Sequence, residues 1–192
     1  MDDGWRTKMA DKIMIVRHGE KPEKDEDIHG VNPEGEHDKN ELSTSGWQRS
    51  GALIRFFNPL HGQLIHPALA KPNAVFAAAP SRHIQSERSH HTVKAVAESL
   101  GLKVNLKHTK GDEKKLAEDA MTTHGVVLIA WEHKSIIDLA NVILGNDRSS
   151  PQNWPDSRFD LVWVLDRQLH PTSWKLTQVA QMLLPNDSPK LL

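Results

Sequence analysis

The stretch Ile13-Met14-Ile15-Val16-Arg17-His18-Gly19-Glu20 decides the fold. Four apolar residues in a row read as a strand buried on both faces, the pattern of a parallel sheet covered by helices. In open α/β sheets ligands bind beyond the carboxyl ends of the strands, so Arg17 and His18 are expected to face a crevice. Arginine offers a planar, permanently charged fork of donors that matches phosphate oxygens, and neutral imidazole is a nitrogen nucleophile. Glycine after the histidine leaves room for a ligand to approach closely. On its own, the same string also describes a partly buried histidine beside a surface arginine.

Outward from this strand, elements alternate. Residues 21–41 are polar, with Pro22, Gly30, Pro33 and Gly35, and read as a long loop, either an inert excursion or a flap over the site before it. Ser45 and Gln48 have capping-box spacing and open a helix that carries Leu53, Ile54, Phe56 and Phe57 to a stop at Asn58-Pro59. Residues 74–78 form a second short strand. A helix with Arg88 in its first turn follows, its stripe Thr92, Val93, Val96, Ala97 and Leu100 ending at Gly101. Residues 102–106 alternate in polarity, as a strand near the sheet edge does. Asp112 caps the next helix, with Leu116, Ala117, Ala120 and Met121 as its apolar stripe.

Residues 126–131 are the most hydrophobic run and predict a central strand ending at Glu132-His133. Ile136, Leu139, Ala140 and Ile143 then repeat at helical spacing up to Gly145. A loop over 146–158 precedes two final strands, 161–165 and 173–179, read as a hairpin-like return. The alternation predicts an α/β fold, a three-layer α/β/α sandwich on a mostly parallel sheet. One domain is expected over 1–192, with 1–11 a flexible tail.

Composition narrows the chemistry. A formal net charge of -1 argues against a protein held to nucleic acid or to an anionic membrane by bulk electrostatics. The absence of cysteine excludes disulfides, thiolate catalysis and Cys-type zinc sites. Twelve histidines invite a metal, but the pair His90-His91 is adjacent and no His-Glu-x-x-His or His-x-His string occurs, so no metal or other cofactor is expected. Residues 1–11 show no secretory pattern, which makes the cytoplasm the expected location. Six tryptophans and no tyrosine are unusual, and Trp131 either borders a substrate or packs the core.

Three strand-to-helix junctions thus carry phosphate-type chemistry: Arg17-His18, Arg88 and His133. On these residues the chain resembles the histidine phosphatase superfamily, whose fold is shared with phosphoglycerate mutase. Arg17-His18-Gly19 resembles the family signature, and Leu42-Ser43 with Gly46 resembles its Leu-Thr/Ser-x-x-Gly element. Arg88 four residues before Thr92 resembles its Arg-x-x-x-Thr helix start, and residues 127–133 resemble the strand that ends in the second catalytic histidine. The matches span residues 13 to about 145. Arg82, in Ala79-Pro80-Ser81-Arg82, rivals Arg88 because the family often places Ser-Pro-Leu before this arginine. Lys21-Pro22 stand where many members lead to a phosphate-holding asparagine, so that contact is not carried over.

The resemblance implies a metal-independent phosphatase in which neutral His18 attacks phosphorus, a phosphohistidine forms, and water releases inorganic phosphate. Arg17, Arg88 and His133 would neutralise the phosphoryl oxygens, His133 as a charged donor. For the general acid, Asp112 comes first, since Thr109-Lys110-Gly111-Asp112 resembles a turn of small family members. Glu113 and Glu132 follow, then Glu20. A small phosphomonoester is the preferred substrate over protein phosphohistidine, and the remaining alternative is a catalytically silent module that binds a phosphorylated ligand.

Overall fold

The computed structural model describes residues 9–192. The expected tail lies outside the described residues as far as residue 8. Ala10 and Asp11 already belong to the first strand.

Six strands form one sheet in the order β3-β2-β4-β1-β5-β6. β1 (Ala10–Arg17) pairs in parallel with β4 (Gly125–Trp131), which pairs in parallel with β2 (Ala74–Ala77). At that edge β2 holds β3 (Val104–Asn105), a strand of two residues where five were expected. At the other edge β5 (Leu161–Leu169) lies antiparallel to β1, and β6 (Thr172–Ala180) antiparallel to β5. Two residues between β5 and β6 leave no length for a crossover, so that pair can only return antiparallel. The sheet is therefore mixed at one edge and parallel through its centre.

Alternate residues of β1 divide the core. Ile13 and Ile15 join Val127, Ile129 and Trp131 under α3 (Glu113–Met121) and α4 (His133–Leu144). Met14 and Val16 join Leu128 and Ala130 under α1 (Thr44–Phe57) and α2 (Arg88–Ser99). Both faces of one strand are thus buried, as its unbroken apolar run requires, and the three-layer α/β/α sandwich follows.

The first helix starts earlier than its sequence pattern suggests. Its N-cap is Ser43, whose Oγ accepts from the Gly46 N–H at 3.3 Å, rather than Ser45. Ser43 takes this place because its own N–H donates to the Glu20 carbonyl at 2.9 Å, which holds it in the extended conformation a cap needs. The helix end at Asn58 and the left-handed Gly145 (φ 71) after α4 fall where expected.

Residues 21–41 form an ordered excursion. A 3-10 turn at Lys24–Glu26 and bridges Glu23 to Ile28, Val31 to His37 and Gly30 to Ser43 give it internal structure. The Trp47 indole N–H donates to the Val31 carbonyl at 2.7 Å and ties it to α1. Backbone pairing supplies here what an apolar core does not, which is why composition alone reads it as loop.

Candidate active site

The parallel register sets Arg17 beside Trp131, and the His18 N–H donates to the Trp131 carbonyl at 3.0 Å. His18 and His133, 115 residues apart in sequence, therefore leave adjacent strands at the same carboxyl edge. Arg88 opens α2, which follows β2 on the other flank of β4. Thr92 closes the arrangement: its hydroxyl donates to the Arg88 carbonyl at 2.7 Å and accepts the Gly19 N–H at 2.7 Å. A backbone contact explains two glycines. A Cβ at Gly19 would stand 3.0 Å from the Gly46 carbonyl, and one at Gly46 only 2.5 Å from that of Glu20.

His18 is buried, and its Nδ1–H donates to the Gly19 carbonyl at 2.8 Å, leaving the Nε2 lone pair without a partner among the described residues. Burial first, then the charge of Arg17, push its pKa down to about 3, with Arg88 and His133 acting in the same direction. The ring is neutral at any physiological pH.

Arg17 is fully buried. One amino group, Nη1, donates to the carbonyls of Pro155, Asp156 and Arg158 at 3.3, 2.6 and 3.0 Å. Its Nε and Nη2 have no partner, and the Phe159 ring lies 3.7 Å from its Cζ. Burial lowers its pKa to about 10, so it stays charged. Arg88 gives Nη1 to the Lys39 carbonyl at 3.1 Å and keeps a buried, unpartnered Nε. Its charge acts on both Arg17 and His18, whereas Arg82 is exposed to solvent, which separates the two rivals.

His133 lies between two carboxylates. Its Nε2 is 2.5 Å from Asp156 Oδ1, and its Nδ1 is 3.1 Å from Glu132 Oε1 but not aligned for a hydrogen bond. Burial, then Arg17, hold its pKa below the ordinary imidazole value against the pull of both acids.

The four candidate acids separate by their partners. Asp112 accepts from the Thr109 N–H at 3.1 Å and hydroxyl at 3.0 Å and pairs with Lys115 at 2.9 Å. The Lys115 hydrogen bond first, then Thr109, hold its pKa at about 2, and it makes no side-chain cap bond to α3. It stands at the N-cap position of α3 with its side chain locking the turn at Thr109. Glu113 accepts from the Trp131 indole at 3.0 Å and from the Gly111 N–H at 3.0 Å. That contact places the fully buried Trp131 in the core. Glu20 is clamped by Arg49 at 2.7 Å, which also holds Asp187 at 2.6 Å. Glu132 reaches most of the cluster: its charge acts on Arg17, Arg88 and His133, where that of Glu20 acts on Arg17, and Lys110 lies 3.1 Å from its Oε2.

Two site residues, Asp156 and Phe159, come from the loop before β5. Phe159 lies over Arg17 with its ring centroid 6.1 Å from that of His18. Neither stands at a helix or strand junction, and neither belongs to a motif, so no sequence pattern points to them. Glu87, His90 and His91 bring metal-ligand atoms within 4.8 Å of one another, the one such group among the described residues. Adjacent on α2, the two imidazoles nevertheless tilt toward one side, with ring centroids 5.0 Å apart. Their Nδ1 atoms already bond Glu87 at 3.3 Å and Glu41 at 2.7 Å. Among the described residues no helix is long and apolar enough to cross a membrane.

No protein-family model matches the chain, and no curated protein does. Solved structures do match. The chain is similar to a mycobacterial glucosyl-3-phosphoglycerate phosphatase (13% identity, 86% of this chain and 96% of that one, TM-score 0.51). It is likewise similar to a putative alpha-ribazole-5'-P phosphatase from Escherichia coli (14% identity, 89% and 96%, TM-score 0.51). A protein described as mycobacterial hydrolase 1 aligns over 86% and 96% with 13% identity and a TM-score of 0.50. At such identities these likenesses show the fold.

Proposed function

We propose that this chain is a phosphatase that hydrolyses a phosphomonoester through a covalent phosphohistidine on His18. The observation that carries the reading is the state of that imidazole: neutral, with Nδ1–H tied to the Gly19 carbonyl and Nε2 unpartnered, beside an arginine whose buried Nε and Nη2 lack acceptors. Donors buried without acceptors cost about 1–3 kcal/mol each, a cost that an oxyanion removes. Two of the three structural relatives are described as phosphatases, which supports the phosphatase part of this reading.

In the first step Nε2 forms a bond to phosphorus in line with the departing ester oxygen, and the P–O bond breaks. Arg17, Arg88 and His133 meet the charge on the equatorial oxygens, the task metal ions perform in many phosphoryl-transfer sites. The leaving oxygen takes its proton from Glu132, the candidate acid whose charge acts on Arg17, Arg88 and His133 together, and the same carboxylate then accepts one from the water that cleaves the N–P bond. Phosphate leaves and His18 regains its lone pair.

Turnover of p-nitrophenyl phosphate by the natural chain and by His18→Ala tests this. The expected result is loss of turnover in the variant by about a thousand-fold or more, at unchanged melting temperature. An acid-labile phosphohistidine signal in the 31P spectrum of the natural chain is expected as well. Equal phosphate release by the two proteins refutes the assignment.

A further inference from the structure

A cavity of about 460 Å³ opens against the proposed catalytic centre. It is of the size that takes small ligands. Two residues join it to the site. Phe159, which covers Arg17 and stands over His18, is part of its wall, and so is Glu20, two residues after His18, whose charge is felt by Arg17. The wall thus adjoins the surroundings of Arg17 and His18, while none of Arg17, His18, Arg88 and His133 lines it.

The charge of the wall is opposite to that of the phosphate site. It carries five carboxylates, Glu20, Glu23, Glu26, Asp160 and Asp187. Against them stand Lys21, Arg49 and Arg158, which leaves two negative charges in excess. Arg49 is already committed to Glu20 and Asp187, and Arg158 to Asp160 at 2.7 Å. Among the described residues Glu23 and Glu26 have no ion-pair partner, and the Glu23 carbonyl, just before the 3-10 turn Lys24–Glu26, accepts the Glu26 N–H at 3.4 Å, which keeps both on one short segment. The remaining lining mixes the hydrogen-bonding side chains of Ser43, Ser45, Gln48 and Asn186 with the apolar Ile28, Leu184 and Pro185. A wall with this excess of carboxylates does not welcome an anion.

Resting on the proposed phosphatase activity, we infer that the substrate is a phosphomonoester whose alcohol portion carries a positive charge, such as a protonated amine. Arg17 and Arg88 attract the phosphoryl end, and Glu23 and Glu26 attract the cationic end. An ester with a carboxylate in its alcohol portion meets uncompensated like charge in the same place. The chemistry balances as ordinary hydrolysis: water supplies OH to phosphorus and a proton to the amino alcohol, which leaves as a cation.

Three phosphates of nearly equal size test this: phosphoethanolamine, monoethyl phosphate and phosphoglycolate, whose alcohol portions carry charges of plus one, zero and minus one. The expected order of kcat/KM falls along that series, with about ten-fold or more between its ends at low salt. In Glu23→Gln/Glu26→Gln the ratio between the ends is expected to collapse toward one. Because partial unfolding lowers all three rates alike, the ratio survives a damaged variant. A flat or reversed order, or a ratio unmoved by the double variant, overturns the inference while leaving the phosphatase reading intact. Calorimetric binding of the same three compounds to His18→Ala reads the order without turnover, so it decides the matter even if the proposed activity fails.

Discussion

Gly46→Ala and Gly51→Ala place the same methyl group at two positions of α1 five residues apart, with opposite expected outcomes. At Gly51 a Cβ meets nothing within 4 Å, so alanine adds only its helical preference and stabilises by about 0.5–1 kcal/mol. At Gly46 the new carbon lands 2.5 Å from the Glu20 carbonyl oxygen and 3.0 Å from the Glu20 nitrogen. Ordinary contact begins at 3.4 Å, so the carbonyl must retreat by about 0.9 Å. It is not free to do so, because it accepts both the N–H of Ser43 at 2.9 Å and its hydroxyl at 3.2 Å. Overpacking of this kind costs about 1–3 kcal/mol, and in a chain of this length each kcal/mol lowers the melting temperature by about 2–4 °C. The chemistry suffers more, since the displaced backbone begins two residues after His18 and a shift near 1 Å costs about a hundred-fold in rate. Thermal unfolding and p-nitrophenyl phosphate turnover read the two quantities separately. A Gly46→Ala protein that melts and turns over like the natural chain would refute the close approach of α1 to the loop carrying His18.

Thr92→Val keeps the shape of the side chain but orphans the Gly19 N–H, and is expected to cost about 1–3 kcal/mol in urea unfolding together with a fall in kcat; an unchanged stability sinks the bridge. Asp156→Asn removes the carboxylate from His133 Nε2 and is expected to tighten competitive inhibition by inorganic phosphate, whereas an unchanged or weaker inhibition constant refutes the idea that acid and phosphate compete. Glu132→Gln should slow esters of poorly acidic alcohols far more than p-nitrophenyl phosphate, whose leaving group needs no proton, while Asp112→Asn leaves that ratio unmoved; the reverse pattern restores Asp112 as the acid. Because the folded pKa of His18 is lowered from 6.5 to about 3, the unfolded chain takes up this proton first as pH falls. Its contribution is therefore present above pH 6.5 and lost at up to about 1.4 kcal/mol per pH unit from there toward 3. His18→Gln lacks that slope, and parallel pH–stability curves for the two proteins would show that the imidazole is not held neutral.

What the sequence made legible and what it hid divide along a physical line. The two histidines and Arg88 were readable because each sits where an apolar run or stripe meets a polar residue, and such boundaries mark strand ends and helix starts without knowledge of the tertiary structure. Thr92 was readable as a spacing and acquires its reason only from the Gly19 N–H it accepts. Ser43 and Ser45 differ as caps only through the Glu20 carbonyl, 23 residues away, that fixes Ser43. Asp112, favoured as the acid by its turn, is drawn toward its charged form by Lys115 and Thr109, neighbours that the same turn brings into reach. Asp156 and Phe159 lie in a loop whose position depends on Trp154, buried against Trp163 with rings 5.0 Å apart. Contacts made across the fold leave no period or spacing to read.

Arg17 shows why the charged site is compatible with a stable core. A guanidinium has five N–H donors, and burying it with none satisfied is prohibitive. Here one amino group is satisfied by three carbonyls of the 155–158 segment, and the face of the ion rests on Phe159, so most of the desolvation cost is met by parts of the chain that need no ligand. Only Nε and Nη2 remain unmet. The same contacts that make burial tolerable fix the plane of the guanidinium and so aim those two donors. Preorganisation of this kind is what electrostatic catalysis requires, because no reorientation is then needed as charge develops on phosphorus. The price is the orphaned donors themselves, and it falls on the residue next to a histidine kept neutral first by its own burial and then by the charge of Arg17. In the proposed mechanism the buried charge at the end of β1 thus both helps hold His18 unprotonated and meets the anion.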